Sequence, residues 1–283
     1  MVVSDRGDAV EMVVIGAWTA EATAEVRAGQ IDRLVLNYAH GFDEPSLGFL
    51  EGLPLRELVI LDPRLSDLTP VHSLGATLQM LSVTTSPSLQ VDLGQLPELR
   101  VLSAAWSQVE ATIESAVGLE VAFLRDYKAI DLRPLAALSG LVELVMKDRP
   151  RLRSLVGLSK LTRLRRLGVY LATGLVDIDD LAGRNTLEEL ALQGCRNIDR
   201  LETLSGCTGL RKLNLSECGD LLSLAPIRSL VQLEQLLLFG STRIVDGDLS
   251  PVVELPRLSK LRMQSRRSYR PSVEEVQASL LRD

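Results

Sequence analysis

The feature that most constrains the fold of this chain is a leucine that opens a similar segment every 20 to 25 residues. A looser copy of the segment begins earlier, at Ile31. Self-similarity at a fixed spacing of this length predicts a repeat array and leaves no room for separate globular domains. The opening leucines are Leu55, Leu78, Leu99, Leu119, Leu141, Leu164, Leu187, Leu210, Leu233 and Leu258.

Each segment opens with the pattern L-x-x-L-x-L, which is clearest in residues 187–240. The last two leucines alternate with single variable residues, and this alternation is the period of a β-strand. One repeat is too short to bury its own leucines, so neighbouring repeats must stack and share a continuous core. The pattern therefore predicts a parallel sheet on one side and return segments on the other.

The pattern L-x-x-L-x-L, followed by a Cys or small residue and another aliphatic residue, resembles the leucine-rich repeat family over almost the whole chain, in about 10–11 repeats. The resemblance implies an α/β solenoid. In that fold a curved right-handed array carries a parallel β-sheet on its concave face, with short helices, 3-10 turns and loops on its convex face. The ending DGDLSPVVELPRLSKLRMQSRRSYRPS also resembles the terminal repeat of bacterial cytoplasmic leucine-rich repeat proteins, which carries no assigned activity.

Both ends of the chain carry patterns that predict caps for the leucine stack. Residues 1–30 contain an apolar strand at 9–15 and a helix that Thr19 starts and Gly29 ends. Ile15 stands 21 residues before Leu36, so we expect this strand to lie parallel to the first repeat strand. Residues 31–265 form the repeat array, and residues 266–283 form a basic segment with a capping helix that begins with the capping box of Ser272 and Glu275.

Three return segments share a helix-start pattern in which an Asp precedes a Pro by three residues. The carboxylate can accept hydrogen bonds from the free N–H groups of the first turn. Pro fits in that turn because it has no backbone N–H group that would need a partner. These segments, which begin at Asp67, Asp131 and Asp248, are predicted to form short helices or 3-10 turns.

Bulk composition argues against several classes of function. The net charge is −6, which disfavours general binding to nucleic acids or anionic membranes. No stretch approaches the ~20 apolar residues of a membrane span, and the N-terminus does not resemble a secretory signal. Three cysteines confined to residues 195–218 do not form a secreted disulfide framework. We therefore expect a cytoplasmic protein.

No group of residues predicts catalysis or a cofactor. His40 and His72 have no Ser or Cys motif beside them, so both are interpreted as exposed structural histidines, and no phosphate-binding glycine loop is present. Cys195 and Cys218 are one repeat apart, but zinc normally takes four ligands, so they are interpreted as small buried thiols. The acids in residues 177–180 and 246–248 could bind a cation, although helix starts explain them more simply.

The variable residues between the leucines predict the binding surface. Aromatic residues and arginine are typical of binding hot spots, and they concentrate where the pattern weakens, at residues 99–127 and just beyond. Alternatively, Trp106 folds inward to fill the volume left by Ala104, Phe123 packs on its neighbours, and the face is solvated without function. The predicted partner-binding residues are Trp106, Phe123, Arg125, Asp126, Lys147, Asp148 and Tyr170.

A non-catalytic scaffold that binds a protein or peptide on the concave sheet face is the function these patterns favour. A second hypothesis is binding of nucleic acid or another polyanion through the basic run in residues 147–166 and the C-terminal basic cluster. Nucleic acid remains the less favoured partner, and no membrane partner is expected. A third hypothesis is a regulatory subunit of an enzyme, whereas the chain itself is predicted not to be an enzyme and to hold no cofactor or metal.

Overall fold

The computed structural model describes residues 2–5 and 10–280 of the chain. It divides into two compact units, Met1–Arg125 and Asp126–Asp283, which are considered one at a time. Within each unit, short parallel strands alternate with 3-10 turns and very short helices. The predicted α/β class, with a parallel sheet and short return elements, is confirmed.

The first unit contains seven strands and two helices among its described residues. β1 pairs antiparallel with β2, and every later strand pairs in parallel with the strand before it. The elements are β1 (Val2–Asp5), β2 (Val10–Val14), α1 (Ala20–Arg27), β3 (Arg33–Asn37), β4 (Glu57–Leu61), β5 (Met80–Thr84), β6 (Val101–Ala105), α2 (Trp106–Val109) and β7 (Val121–Arg125). Its 3-10 helices are Tyr38–His40, Gly48–Leu50, Thr69–Leu74, Leu93–Gln95 and Ile113–Ser115.

The second unit continues the same alternation in its described residues. Six strands form one parallel sheet in the order β8-β9-β10-β11-β13-β15, and β12 pairs with β14 separately. The elements are β8 (Glu143–Lys147), β9 (Arg166–Val169), β10 (Glu189–Ala191), β11 (Lys212–Asn214), β12 (Asp220–Leu221), β13 (Gln235–Leu238), β14 (Arg243–Ile244), α3 (Ser250–Val253), β15 (Lys260–Met263) and α4 (Val273–Leu280). Its 3-10 helices are Arg133–Leu135, Leu158–Lys160, Asp179–Leu181, Glu202–Gly206 and Ala225–Ser229.

The leucines of the repeat pattern form the core of both units, as predicted. All ten opening leucines are buried, from Leu55 at 0% exposure to Leu258 at 5%. The strand leucines stack in register, with Leu213 between Leu190 and Leu236. Each buried leucine contributes roughly 1.5–3 kcal/mol. Burial of the ladder therefore drives the stacking that a single repeat cannot achieve.

The predicted helix starts in the return segments are confirmed. Asp67 accepts a hydrogen bond from the Thr69 N–H at 2.8 Å, Asp131 from Arg133 at 3.0 Å, and Asp248 from Ser250 at 2.9 Å. Each bond satisfies an N–H group that the short turn itself leaves unpaired. The return elements are short because most of each repeat is taken up by its strand and turns.

The N-terminal strand and helix are present, and β2 pairs in parallel with β3, as predicted. Val14, not Ile15, pairs with Leu36, and Ile15 is 49% exposed. Both residues are aliphatic, so the repeat interval alone could not separate them. The Thr19 hydroxyl accepts from the Ala22 N–H at 3.1 Å, which confirms the predicted helix start. Residue 9 of the predicted strand lies outside the described residues, and β1 was not predicted.

The last helix begins as predicted. The Ser272 N–H donates to Glu275 at 2.8 Å, and the Glu275 N–H donates to the Ser272 hydroxyl at 3.2 Å. Val273 and Val276 are buried against the preceding elements, and Leu280 is half-buried. Residues 281–283 lie outside the described residues, and the predicted boundaries at residues 30 and 265 stay predictions.

Candidate functional site

The outward face of the second unit's sheet is built from alternating strand positions. On each strand the inward residues belong to the leucine ladder, and the residues between them are at least partly exposed except for Gly168, which is buried. Strand pairing brings the outward residues into columns, as the alternation predicts. The central column is Val145, Gly168, Ala191, Asn214, Leu237 and Arg262.

A hollow of about 220 Å³ lies on this face where the central column has its smallest side chains. Ala191 forms its floor because it leaves open the space that a leucine would occupy, and Gly168 lines the floor where the Tyr170 ring begins. Val145 and Leu237 border it along the column, and Tyr170 stands at its edge. The hollow therefore presents apolar surface to solvent with an aromatic ring beside it.

Tyr170 is held in place by the glycine beneath it. A Cβ at position 168 would lie 2.8 Å from Tyr170 Cε2, so the ring can lie there only because residue 168 is Gly. The Lys147 ammonium lies 5.6 Å from the ring centroid, within range of a cation–π interaction. Burial raises the pKa of the Tyr170 hydroxyl, and the carboxylates of Glu143 and Glu189 raise it further.

Two ion pairs form the polar rim of the hollow. Arg166 Nε and Nη2 lie 2.8 and 2.6 Å from Glu143 Oε2, and Lys212 Nζ lies 2.7 Å from Glu189 Oε1. Exposed pairs of this kind contribute only about 0–1 kcal/mol each to stability. Their main effect here is to hold four long side chains in defined positions around the hollow.

A second row of ion pairs lies one residue earlier in each repeat. The first row links β8 to β9 and β10 to β11, and the second row links β9 to β10 and β11 to β13. Arg165 pairs with Glu188, and Arg211 Nη2 lies 2.6 Å from Glu234 Oε1. Opposite charges thus alternate at the repeat interval of 23 residues. The two rows together link β8 through β13.

The loop that follows β9 has a strained backbone next to the hollow. Leu171 has φ 62°, which is unusual for a bulky residue, and it is 46% exposed. Its side chain lies over Gly194 in the next repeat, where a Cβ would be 2.7 Å from Leu171 Cδ2. The glycine therefore allows Leu171 to extend the apolar surface beyond Tyr170.

The predicted binding residues of the first unit are positioned differently from one another. Trp106 is only 3% exposed, so it offers almost no surface to a partner, and its burial agrees with the alternative interpretation that it folds inward. Phe123 is half-buried and pairs in register with Ser103. Arg125 reaches back over β6 and donates to Thr84 Oγ1 at 3.0 Å and to the Val83 carbonyl.

The predicted residues of the second unit lie in and beside its sheet face. Lys147 and Tyr170 contact each other on the face itself. Asp126 and Asp148 lie in loops with φ of 51° and 61°, a conformation that Asp tolerates better than most residues. Asp126 also forms an ion pair with Lys128, whereas Asp148 is exposed.

Comparisons with known proteins identify the fold. No protein-family model matches the chain, and no curated protein does. Among solved structures, the chain is similar to an internalin from Listeria monocytogenes (17% identity, 87% of this chain and 66% of that chain, TM-score 0.50). It is also similar to a leucine-rich repeat protein from Leptospira interrogans (19%, 93% and 74%, TM-score 0.60) and to a chain of the mouse RP105/MD-1 complex (18%, 89% and 45%, TM-score 0.55).

The chain has the leucine-rich repeat fold. It spans 66% of the internalin chain and 45% of the mouse chain, so it is shorter than both. At these identities the likeness concerns the fold alone. In the part of the chain that the structure describes, no helix has the length and apolar character needed to cross a membrane.

The three cysteines of this leucine-rich repeat array are buried and hydrogen-bonded. Cys218 Sγ donates to the Leu192 carbonyl at 3.0 Å, and Cys207 Sγ donates to the Leu181 carbonyl at 3.1 Å. Burial raises the pKa of Cys195 to about 12 and that of Cys207 and Cys218 to about 11. The thiols therefore stay protonated and fill the core under each turn.

His72 and the acidic clusters have structural hydrogen-bond partners. His40 is exposed, but His72 is half-buried and accepts from the Asp92 N–H at 3.0 Å, so its predicted exposure is wrong. Asp177 accepts from Ser154 at 2.7 Å, and Asp180 accepts from the Gly157 N–H at 3.0 Å. Among the described residues, no three His, Cys, Asp or Glu side chains are grouped to hold a metal ion.

Sequence reasoning named Tyr170 but missed the hollow beside it. Its floor is defined by missing side chains at Gly168 and Ala191, and its rim by charge pairs between neighbouring leucine-rich repeats. A signal for the pairs was available, because Glu143 and Arg166 are 23 residues apart, as are Glu189 and Lys212. Two members of the predicted basic run, Arg165 and Arg166, are committed to these pairs.

Proposed function

We propose that this chain is a non-catalytic scaffold that binds a protein or peptide segment on the outward sheet face of its second unit. The observation that carries the proposal is the hollow floored by Gly168 and Ala191. An apolar side chain of the partner enters it, in contact with Tyr170 and Leu237, while the surrounding ion pairs hydrogen-bond to the partner's backbone.

The site is largely arranged before any partner arrives. Tyr170 lies on Gly168 beneath the Lys147 ammonium, and Arg166 is held by two hydrogen bonds to Glu143. Side chains that are already ordered lose less conformational entropy on association, which favours binding. An aromatic ring beside an apolar hollow with an arginine at its rim has the composition of a binding hot spot.

The fold comparison supports this proposal. The mouse neighbour is one component of a complex named for two proteins, RP105 and MD-1. Proteins with stacked repeats offer extended surfaces that need no catalytic group. We infer that the sheet face of the second unit is such a surface, and Phe123 and Arg125 stay proposed contacts of the first unit, considered by itself.

Selection from a phage-displayed random peptide library tests the proposal. Peptides that bind the unmodified protein should lose at least roughly ten-fold in affinity for Ala191→Leu, because the added side chain fills the hollow. Ala137→Leu is the matched control, since Ala137 is an exposed residue of a return segment. Equal binding by all three proteins would refute the hollow as the site.

Single substitutions then test the proposed contacts of each unit separately. Tyr170→Ala should lower the affinity for the selected peptides, since it removes the ring at the edge of the hollow. Phe123→Ala tests the predicted contacts of the first unit in the same assay. If Tyr170→Ala binds as well as the unmodified protein, the proposed contact with Tyr170 is wrong.

A further inference from the structure

The sheet face of the second unit is cationic although the chain is acidic. On this face we count the outward residues of β8, β9, β10, β11, β13 and β15 and, for every strand except β8, the outward position that follows it. Five of these residues are basic and two are acidic, so the face carries a net charge of +3, whereas the whole chain carries −6. The basic residues are Lys147, Arg166, Lys212, Lys260 and Arg262. The acidic ones are Glu143 and Glu189, both at the rim of the hollow.

The excess positive charge is concentrated on the last strand. Each rim carboxylate has its own cation, Arg166 for Glu143 and Lys212 for Glu189. Lys260 and Arg262 on β15 are both exposed, and within the described part of the chain neither forms an ion pair.

Acidic residues on the neighbouring repeats are already engaged. Glu234 accepts two hydrogen bonds from Arg211, at 3.0 and 2.6 Å. Glu217 accepts from the Ser241 N–H at 3.1 Å. Both cations of β15 are therefore exposed and stand outside the ion pairs of the described residues.

Apolar surface connects the hollow to these cations. Leu237 borders the hollow and pairs in register with Arg262 on β15. Phe239 follows on the same side of the chain and is 45% exposed. A segment that leaves the hollow toward β15 therefore crosses apolar side chains before it meets positive charge.

We propose that the partner is an extended acidic segment of a protein that crosses the strands from the hollow to β15. This inference rests on the proposed function and specifies its ligand. β10 and β15 are three strand spacings apart, about 14 Å at ~4.8 Å each. An extended chain covers that distance in about four residues at ~3.3 Å per residue. The segment therefore carries an apolar residue for the hollow and, about four residues away, one or two carboxylates for Lys260 and Arg262.

The same observations favour a peptide over a nucleic acid. A polyanion running along this face would find no free cation at the rim of the hollow, because Arg166 and Lys212 are already paired with Glu143 and Glu189. The hollow suits a single apolar side chain, and the two cations of β15 lie together at one end. An acidic peptide matches both features, because its charge is local and its apolar residue is separate.

The peptide selection described above also tests this inference. Selected peptides should be enriched in Asp and Glu about four residues from an aliphatic or aromatic residue. The variant K260E/R262E should bind these peptides at least roughly ten-fold more weakly than the unmodified protein does. Rising salt concentration should lower the affinity of the unmodified protein for them. R163E/R200E is the matched charge-reversal control, since both arginines are exposed between strands and should leave binding unchanged.

The possible outcomes separate the inference from the proposed function. Peptides that depend on the hollow but carry no acidic residues, or that bind K260E/R262E normally, overturn the acidic ligand and leave the scaffold intact. If no selected peptide loses its binding to the Ala191→Leu variant, both the acidic ligand and the proposed scaffold function are overturned. Heparin and single-stranded DNA serve as polyanion probes; if they compete fully with the peptides and K260E/R262E removes their binding, a polyanion replaces the acidic segment.

Discussion

Replacing Leu213 with Ala should destabilise the second unit by about 3–5 kcal/mol. Leu213 is 1% exposed and lies in register between Leu190 and Leu236. Truncating a buried leucine costs about 2–5 kcal/mol, and the cost rises when the cavity cannot close. The backbone hydrogen bonds of β11 to both neighbouring strands fix the spacing at ~4.8 Å, so collapse is restricted and the upper part of that range applies.

Urea unfolding followed by far-ultraviolet circular dichroism measures this loss. Lys212→Ala is the matched control, because Lys212 precedes Leu213 on the same strand and points outward. Its exposed pair with Glu189 contributes at most about 1 kcal/mol. Leu213→Asp should cost still more, since it buries an unpaired carboxylate. If Leu213→Ala costs no more than Lys212→Ala, the inward ladder is refuted.

Two further predictions concern the core thiols and a helix start. Cys195, Cys207 and Cys218 should resist a thiol reagent near pH 8 until the protein unfolds, because burial raises the pKa of all three; rapid labelling of the folded protein would contradict this. Hydrogen bonds from Arg133 hold the pKa of Asp131 below its usual value, so this stabilisation is present above the unfolded pKa near 4 and is lost as the pH falls through the lower folded value. Asp131→Ala should therefore cost about 0.5–2 kcal/mol near neutral pH and less in acid, and an equal cost at both would contradict it.

The ladder and the return segments could be predicted because each depends on a short, repeated pattern. Leu190, Leu213 and Leu236 stack in the structure as their shared spacing of 23 residues predicts. The hydrogen bond from Arg133 to Asp131 is equally local, since it spans two residues. Local patterns of this kind are present in the sequence and need no knowledge of tertiary packing.

The exceptions depend on how side chains share space. Trp106 follows a strand beside positions that were expected to face solvent, but the chain turns into α2 there and the indole is buried. The residue of β2 that pairs with Leu36 could not be chosen from the sequence, because Val14 and Ile15 are interchangeable in the pattern. The hollow was missed because it depends on the Tyr170 ring lying over Gly168, a contact that alternation alone does not predict.

Lysine reactivity tests the outward sheet face as a binding surface most directly. The chain contains five lysines: Lys147, Lys212 and Lys260 on the sheet face, and Lys128 and Lys160 away from it. Acetylation of the native protein with and without a selected peptide, read by mass spectrometry, compares all five at once. Peptide binding should slow acetylation of Lys212 and Lys260 most, slow Lys147 less, and leave Lys128 and Lys160 unchanged. Protection confined to Lys128 or Lys160 would place the partner on the return segments and contradict the sheet face as the site.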